Sequence, residues 1–160
     1  MRKFKRIHYV LAPDKEMYLR STDLRYAILD HMKFNKYNFS GLDFTNSYLK
    51  SSILRNVNLE RCCLKHADLR FCNFNKSNLT NVNLVDADIR FCEGNGVEIK
   101  NLQSELYKLV YTKEVLAIGC QQHKIIEWQN FSDEEIYLMD GACGRDWWKE
   151  NKRTILREIK

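Results

Sequence analysis

The sequence is poor in residues that interrupt regular structure, and it has no long apolar run. Its 160 residues include one proline and six glycines, which excludes collagen-like chains and proline-rich linkers. No apolar run approaches the roughly 20 residues that span a bilayer, so no membrane-spanning helix is expected. The basic residues at 1–6 are not followed by the apolar stretch of about 7–15 residues that a signal peptide needs. The length and the composition, 44% hydrophobic and 29% charged, therefore indicate a folded chain of one domain, with at most an appendage. We also expect a cytoplasmic location.

Motifs for cofactors and catalysis are also scarce. Six cysteines are present, but four lie in one patterned segment without secretion signals, so we expect free thiols, including at Cys72 and Cys92. Cys120 and His123 have only half of the spacing of a zinc site, which favours a turn with a buried cysteine. The four histidines are scattered, and neither a nucleophile motif nor a phosphate-binding glycine loop occurs. We therefore predict no metal, no cofactor, no catalytic residues and no enzymatic activity.

The dominant feature is an apolar residue at every fifth position. Fourteen consecutive positions from 24 to 89 hold Leu, Phe or Ile, and a period of five fits neither a helix nor an ordinary strand. The residue two places earlier is mostly small, and the residue between them is often Asp or Asn. The clearest units are Ala67-Asp68-Leu69-Arg70-Phe71 and Ala87-Asp88-Ile89-Arg90-Phe91.

This pattern resembles the pentapeptide-repeat family over about residues 20–100. The resemblance implies an all-β solenoid, a right-handed quadrilateral β-helix in which four units make one coil and the central and small residues point inward. About four coils, spaced by about 4.8 Å, would form a shaft about 19 Å long. Bulky residues at the small position, namely Met32, Tyr37 and Leu42, predict irregular packing in the first two coils.

The ends of such a shaft need caps, because each end exposes unpaired backbone and an open core. We predict an N-terminal cap at 1–20, the β-helix at 21–100 and a partly helical capping or interaction segment at 101–160. In the last segment we expect strands at 109–111 and 115–118, a helix at about 133–140 capped by Ser132 and ended by Gly141, and a second helix from about 145. The second helix has an apolar set that either caps the shaft or forms a homodimer, as C-terminal elements do in gyrase-protecting members of the family. This set is Trp147, Trp148, Ile155, Leu156 and Ile159.

The C-terminal segment carries a second resemblance. Its pattern is similar to a tail on pentapeptide-repeat proteins of phages and prophages. The matching residues include Ile118-Gly119-Cys120, His123, Trp128, Phe131 and Trp147-Trp148. The resemblance implies a phage-encoded protein in a bacterial host, and it implies no chemistry.

Outward residues on one face form a candidate contact site. Twenty-residue spacing stacks arginine on arginine and phenylalanine on phenylalanine, with a lysine extending the basic column; exposed Phe beside Arg is typical of protein interfaces. The residues are Lys50, Arg70, Phe71, Arg90 and Phe91. A face with Lys36, Arg55 and Lys76 is expected to be only solvated.

The predicted function is a non-enzymatic scaffold that binds a host protein, modulates or inhibits it, and does not contact a membrane. The alternative is a nucleic-acid-binding or DNA-mimicking protein that acts on a topoisomerase or a defence nuclease. The repeat segment has eleven basic and nine acidic residues, a balance that fits neither an acidic mimic nor a broad basic stripe.

Overall fold

Parallel pairing of each residue with the one 20 positions later builds the repeat segment. The computed structural model describes residues 23–102 and 104–159, so the predicted N-terminal cap at 1–20 lies outside the described residues. Eleven parallel bridges run from Asp23↔Asp43 to Asn73↔Glu93. At each bridge, one backbone N–H donates up to the next coil and one C=O accepts from it; Leu49 N–H, for example, donates to the Asp68 carbonyl at 2.9 Å.

The inside of the shaft is filled by the fifth-position residues. Thirteen of the fourteen central residues from Leu24 to Ile89 are buried, and Leu84 in the last coil is partly buried. The small-residue position also points inward, but Tyr37 and Met32 are only partly buried, in agreement with the irregularity predicted for the early coils. Close packing therefore selects one large and one small side chain for each unit.

Each corner of the shaft requires a left-handed backbone conformation. The residue two places after the central one has positive φ at all fourteen corners from Tyr26 to Phe91, and Gly41 is the single glycine among them. At twelve of the fourteen corners the N–H that follows donates to the central residue's carbonyl, as Ala27 does to Leu24 at 3.0 Å, whereas the Met32 and Val57 N–H groups donate to serine hydroxyls of the next coil. The five-residue period thus consists of a short strand and a tight turn.

Polar atoms at the small position bond to the previous coil. The Ser52 hydroxyl donates to the Leu29 carbonyl at 2.6 Å, and the Cys72 thiol donates to the Leu49 carbonyl at 2.9 Å. Cys62 and Cys92 make the same contact 23 residues back. All six cysteines are free thiols, as the sequence predicts for Cys72 and Cys92.

The chain leaves the shaft after Cys92. A Cβ atom at Gly94 would lie 2.0 Å from the Ile99 carbonyl oxygen, so only glycine fits where the five-residue pattern breaks. Val97 is 68% exposed, whereas Ile99 is fully buried in the shaft core. The inward phase therefore resumes at Ile99 after one interruption.

A four-stranded antiparallel sheet follows, in the order β1-β2-β3-β4. Its strands are β1 (Lys100–Leu102), β2 (Leu109–Tyr111), β3 (Val115–Ile118) and β4 (Gln121–Lys124), so the two predicted strands are present and two further ones join them. Side chains alternate across the sheet. Val110 and Ala117 pack into the shaft core, whereas Leu109, Leu116 and their neighbours pack against the helices.

Side-chain amides complete the hydrogen bonds of the last coil. The Ile89 N–H donates to Gln122 Oε1 at 2.8 Å, and Gln122 Nε2 donates to the Ala87 carbonyl at 2.8 Å. Asn101 is placed in the same way on the next side: it accepts from Gly94 N–H at 2.8 Å and donates to the Cys92 carbonyl at 2.9 Å. Each amide therefore takes the place of a peptide group from a further coil, which satisfies a backbone edge that would otherwise be unpaired.

Two helices cover the far face of the sheet. Helix α1 spans Ile125–Asn130 and α2 spans Asp133–Glu158, where Ser132 forms the predicted capping box with Glu135. Asp140 and Gly141 have non-helical backbone angles, so the predicted end at Gly141 is a kink from which the helix resumes at once. Within the described ranges, none of the helices has the length and apolar character needed to cross a bilayer.

The apolar face of α2 does not plug the shaft as the capping interpretation predicted. Trp148, Ile155 and Ile159 are buried, and Trp147 and Leu156 are partly buried, in the cluster formed with the outer side of the sheet. The sheet lies between this cluster and the shaft core, because alternate residues of β2 and β3 point in opposite directions. These apolar side chains are covered within one chain.

Candidate functional site

The predicted contact residues lie on one side of the shaft and at its corner. We call the side with central residues Leu29, Leu49, Leu69 and Ile89 side B; side A precedes it along the chain, and sides C and D follow. On side B, the residues after the central ones are Asp30, Lys50, Arg70 and Arg90, and the corner residues are His31, Ser51, Phe71 and Phe91. The structure therefore brings all five predicted residues together.

The two arginines bind carboxylates of their own chain. Arg70 donates from Nε and Nη2 to the two oxygens of Asp68 at 2.8 and 2.6 Å, and its Nε lies 3.5 Å from Asp88. Arg90 makes the same bidentate pair with Asp88 and also donates to the Cys120 carbonyl at 2.6 Å. The bidentate donors that the sequence assigned to a partner are thus occupied within the shaft.

These ion pairs shift the ionisation of both partners. The hydrogen bonds that Arg70 donates to the Asp68 carboxylate raise the pKa of Arg70. Partial burial alone would raise the pKa of Asp68, but the hydrogen bonds and charge of Arg70 outweigh it, so the pKa is lowered. Asp68 therefore stays ionised in the folded protein at neutral pH. Charge reversal at Arg70 would disturb the shaft as well as any partner.

The phenylalanines form an exposed stacked pair. The Phe71 and Phe91 rings lie 4.8 Å apart with an interplanar angle of 10°, and Lys50 Nζ lies 5.9 Å from the Phe71 ring centroid. Phe71 is 50% exposed, whereas Phe91 is half-buried near the C-terminal segment, where Lys108 donates to its carbonyl at 3.0 Å. Phe71 is therefore the apolar centre of this surface.

The backbone at these phenylalanines is unfavourable for such a residue. Phe71 has φ 61° and Phe91 has φ 63°. Bulky residues are rare in this region, whereas Asn and Gly tolerate it, and the chain uses Asn or Gly at several equivalent corners. The corner turn alone does not account for phenylalanine at either position.

Two further apolar residues extend the surface, and the sequence analysis missed them. Ile28 and Tyr48 are 42% and 40% exposed, and they are paired across adjacent coils at the position where Asp68 and Asp88 stand later. The sequence feature that could have revealed them is an apolar residue directly before the central leucine, where most repeats have Asp or Asn. Together with Phe71, they give side B exposed apolar area at both of its edges.

The cysteine and histidine of the C-terminal segment do not form a metal site. The expectation of a buried Cys120 is wrong: it is exposed, because it lies in the turn between β3 and β4. His123 packs edge-to-face on Trp128 and Phe131, and its Nδ1 lies 3.9 Å from Glu127. Across the described ranges, no three metal-ligating side chains come together.

Charge is distributed unevenly around the shaft. The aspartates that precede central residues lie on sides A and B, where Arg25, Arg70 and Arg90 bind them. Sides C and D carry mostly asparagine at this position. Their five basic residues outnumber two acidic ones; the basic residues are Lys33, Lys36, Arg55, Arg61 and Lys76, and the acidic ones are Glu60 and Glu93.

Comparison with known proteins identifies the repeat. A family model described as pentapeptide repeats matches residues 33–65 and 62–93 in eight copies. No curated protein matches the chain. A pentapeptide-repeat protein from the Arabidopsis thaliana thylakoid lumen is 26% identical over 44% of this chain and 48% of its own, with a TM-score of 0.43. HetL, involved in heterocyst differentiation regulation in the cyanobacterium Nostoc, is 19% identical over 41% of this chain and 44% of its own, with a TM-score of 0.26.

The chain spans about half of the length of these two solved proteins. The assignment rests on the matched repeats and on the 20-residue pairing. Proteins of this kind are generally non-enzymatic, and their repeats form a right-handed quadrilateral β-helix. Residues 33–93 of this chain are similar to the pentapeptide-repeat family over the eight matched copies.

Proposed function

We propose that this chain is a non-enzymatic scaffold that binds a protein partner through side B of its shaft. The observation that carries the proposal is the exposed Phe71 ring, stacked on Phe91 and adjacent to Lys50. Aromatic side chains at the centre of a patch, rimmed by polar and charged groups, supply most of the binding energy in protein interfaces. Ile28 and Tyr48 add apolar area on the same side.

The backbone at Phe71 supports a role beyond folding. A bulky residue with positive φ is strained, by roughly 1–2 kcal/mol relative to the right-handed region. Asparagine fits the same corner with less strain, as it does at Asn56 and Asn81. A residue that is locally unfavourable for the fold, yet exposed, is the kind of outlier from which function is inferred.

The charge arrangement favours a protein partner over DNA mimicry. A DNA mimic needs columns of unpaired carboxylates, whereas Asp23, Asp68 and Asp88 are each bonded to an arginine two residues later. Similarity of the C-terminal segment to phage and prophage proteins supports the further proposal that the partner is a bacterial host protein in the cytoplasm, which the chain modulates or inhibits.

Site-specific crosslinking tests the proposal. A photoreactive phenylalanine analogue at position 71 should capture one protein from a bacterial lysate, and the same analogue at position 81, a corner on side D, should not. The captured protein is then purified, and its dissociation constant is measured with Phe71→Asn. We expect at least about 30-fold weaker binding, as for a hot-spot residue.

Stability measurements separate binding from folding. Phe71→Asn should keep or slightly raise the melting temperature, since asparagine suits the left-handed corner. Asn81→Ala is the matched control and should leave affinity unchanged. Equal capture at positions 71 and 81, or unchanged affinity of Phe71→Asn, would refute side B as the contact surface.

A further inference from the structure

Sides C and D carry a row of basic residues without carboxylate partners. Lys33, Lys36, Arg55 and Lys76 are all exposed, and within residues 23–102 and 104–159 none of them forms an ion pair. We name these four residues the side C stripe. Arg25 on side A, by contrast, is bonded to Asp23 and lies near Asp43.

The coil geometry spaces the side C stripe regularly. Lys36, Arg55 and Lys76 lie at or beside the corner between sides C and D in successive coils, and the Lys36 N–H donates to the Arg55 carbonyl at 3.2 Å. Coils spaced by about 4.8 Å place the three charges over about 10 Å. Duplex DNA carries one charge per roughly 1.7 Å of its axis, so several phosphates face a row of this length.

The neutral side chains between the charges suit phosphate oxygens. Asn35, Asn56 and Asn75 are exposed at or beside the same corner, and asparagine donates to phosphates in protein–nucleic acid complexes. The carboxylate at the C-terminal end of side C, Glu93, is bonded to Asn73. The surface therefore offers positive charge and amide donors with little opposing charge.

We propose that the side C stripe binds the phosphodiester backbone of nucleic acid without reading its sequence. The arginines of sides A and B do not take part, because Arg25, Arg70 and Arg90 are neutralised by their own aspartates. The proposal is independent of the protein-binding surface, since it uses another side of the shaft. Each unpaired charge that contacts a phosphate releases counterions, which makes the affinity depend on salt.

The test measures binding of a labelled 20-base-pair duplex by fluorescence anisotropy between 50 and 200 mM salt, with the full chain. The slope of log K against log salt should fall in magnitude by about 0.9 for each charge removed from the stripe. Arg55→Gln should lower it by that amount, and the fourfold variant that also replaces Lys33, Lys36 and Lys76 by Gln should lower it by about 3.6. With a single-stranded probe, the magnitude of the slope of log K against log salt should fall by about 0.7 for each charge removed.

Two control variants separate the side C stripe from the other sides of the shaft. Arg25→Gln should leave the slope unchanged, because its charge is already paired, and Phe71→Asn should leave it unchanged because it lies in the protein-binding surface. All variants should keep the wild-type melting temperature within a few degrees. No detectable binding at 50 mM salt, or an equal change for Arg25→Gln and Arg55→Gln, would overturn the proposal. Binding to anionic phospholipid vesicles with the same dependence on Arg55, and none to the duplex, would overturn it too and assign the stripe to membranes.

Discussion

Removal of the Gln122 amide should open the C-terminal end of the shaft. Gln122→Ala leaves the Ile89 N–H and the Ala87 carbonyl without their partners, and both residues are buried. An unsatisfied buried group costs about 1–3 kcal/mol, so two groups cost about 2–6 kcal/mol. Gln122 is itself half-buried, so water replaces part of the loss, and we expect about 2–4 kcal/mol in the free energy of unfolding in urea.

The neighbouring residue provides the matched control. Gln121 is also half-buried, but its Nε2 makes only a long contact of 3.5 Å to the Met139 carbonyl. Gln121→Ala should therefore cost less than about 1 kcal/mol. Equal costs for the two substitutions would refute the idea that Gln122 replaces a peptide group of a further coil.

A charged variant sharpens the test. Gln122→Glu keeps an acceptor for the Ile89 N–H but directs a carboxylate at the Ala87 carbonyl. The introduced carboxyl should have a folded-state pKa raised above its unfolded value of about 4.3, so protonation stabilises the folded form. Its protonated form donates as the amide did. The stability deficit relative to wild type should therefore shrink as the pH falls through that raised pKa, and a deficit that does not change with pH would contradict the geometry.

Three other outcomes follow from the packing and the charges. Leu69→Ala should cost about 2–5 kcal/mol, because the side chain is fully buried in the shaft, and an unchanged melting temperature would place it outside. In the folded protein at pH 8, alkylation followed by mass spectrometry should modify the exposed thiols and spare the buried ones. The reason is that burial raises the pKa of Cys62 to about 11 and that of Cys72 to about 12. Early labelling of either cysteine would contradict its burial. The spared thiols are Cys62, Cys72 and Cys92, and the modified ones are Cys120 and Cys143. Because the folded-state pKa of Asp68 is lowered, its ion pair stabilises the folded protein at pH values above the unfolded-state pKa of about 3.9, and this stabilisation is lost as the pH falls through the folded-state pKa. The difference in the free energy of unfolding between wild type and Asp68→Asn should therefore narrow from pH 6 to pH 2. A constant difference would exclude the ion pair as its source.

The period of five predicted the inside of the shaft because packing acts on each unit alike. Leu69 and Phe74 are buried where the pattern placed them. The Arg70–Asp68 pair was readable as well, since residues two apart on a strand point to the same side. It was overlooked because exposure of the arginine was inferred from its outward position alone.

The C-terminal segment was predictable only in part. Strands β2 and β3 are short apolar runs, and Ser132 has the spacing of a capping box, so all three carry local signals. Strand β4 consists of polar residues and has no strand pattern of its own. Pairing with β3 and the Gln122 contact to the last coil determine its position, and such long-range contacts leave no periodicity in the sequence.

The coil register of 20 residues underlies both proposed surfaces, and a designed disulfide tests it most directly. Asn58 and Asn78 form a bridge, and Asn78 Nδ2 lies 3.1 Å from Asn58 Oδ1. Adjacent coils at about 4.8 Å fall within the Cα separation that a disulfide spans. The measurement is made in a chain whose accessible native thiols are replaced by serine; these are Cys63, Cys120 and Cys143.

On mild oxidation, Asn58→Cys with Asn78→Cys should form an intrachain disulfide, seen as a loss of two mass units in the intact protein. Asn58→Cys with Asn73→Cys, which places the second thiol on the neighbouring side of the shaft, should remain reduced. Crosslinking of the second pair as readily as the first, or no crosslink in the first, would contradict the register and, with it, the placement of both surfaces.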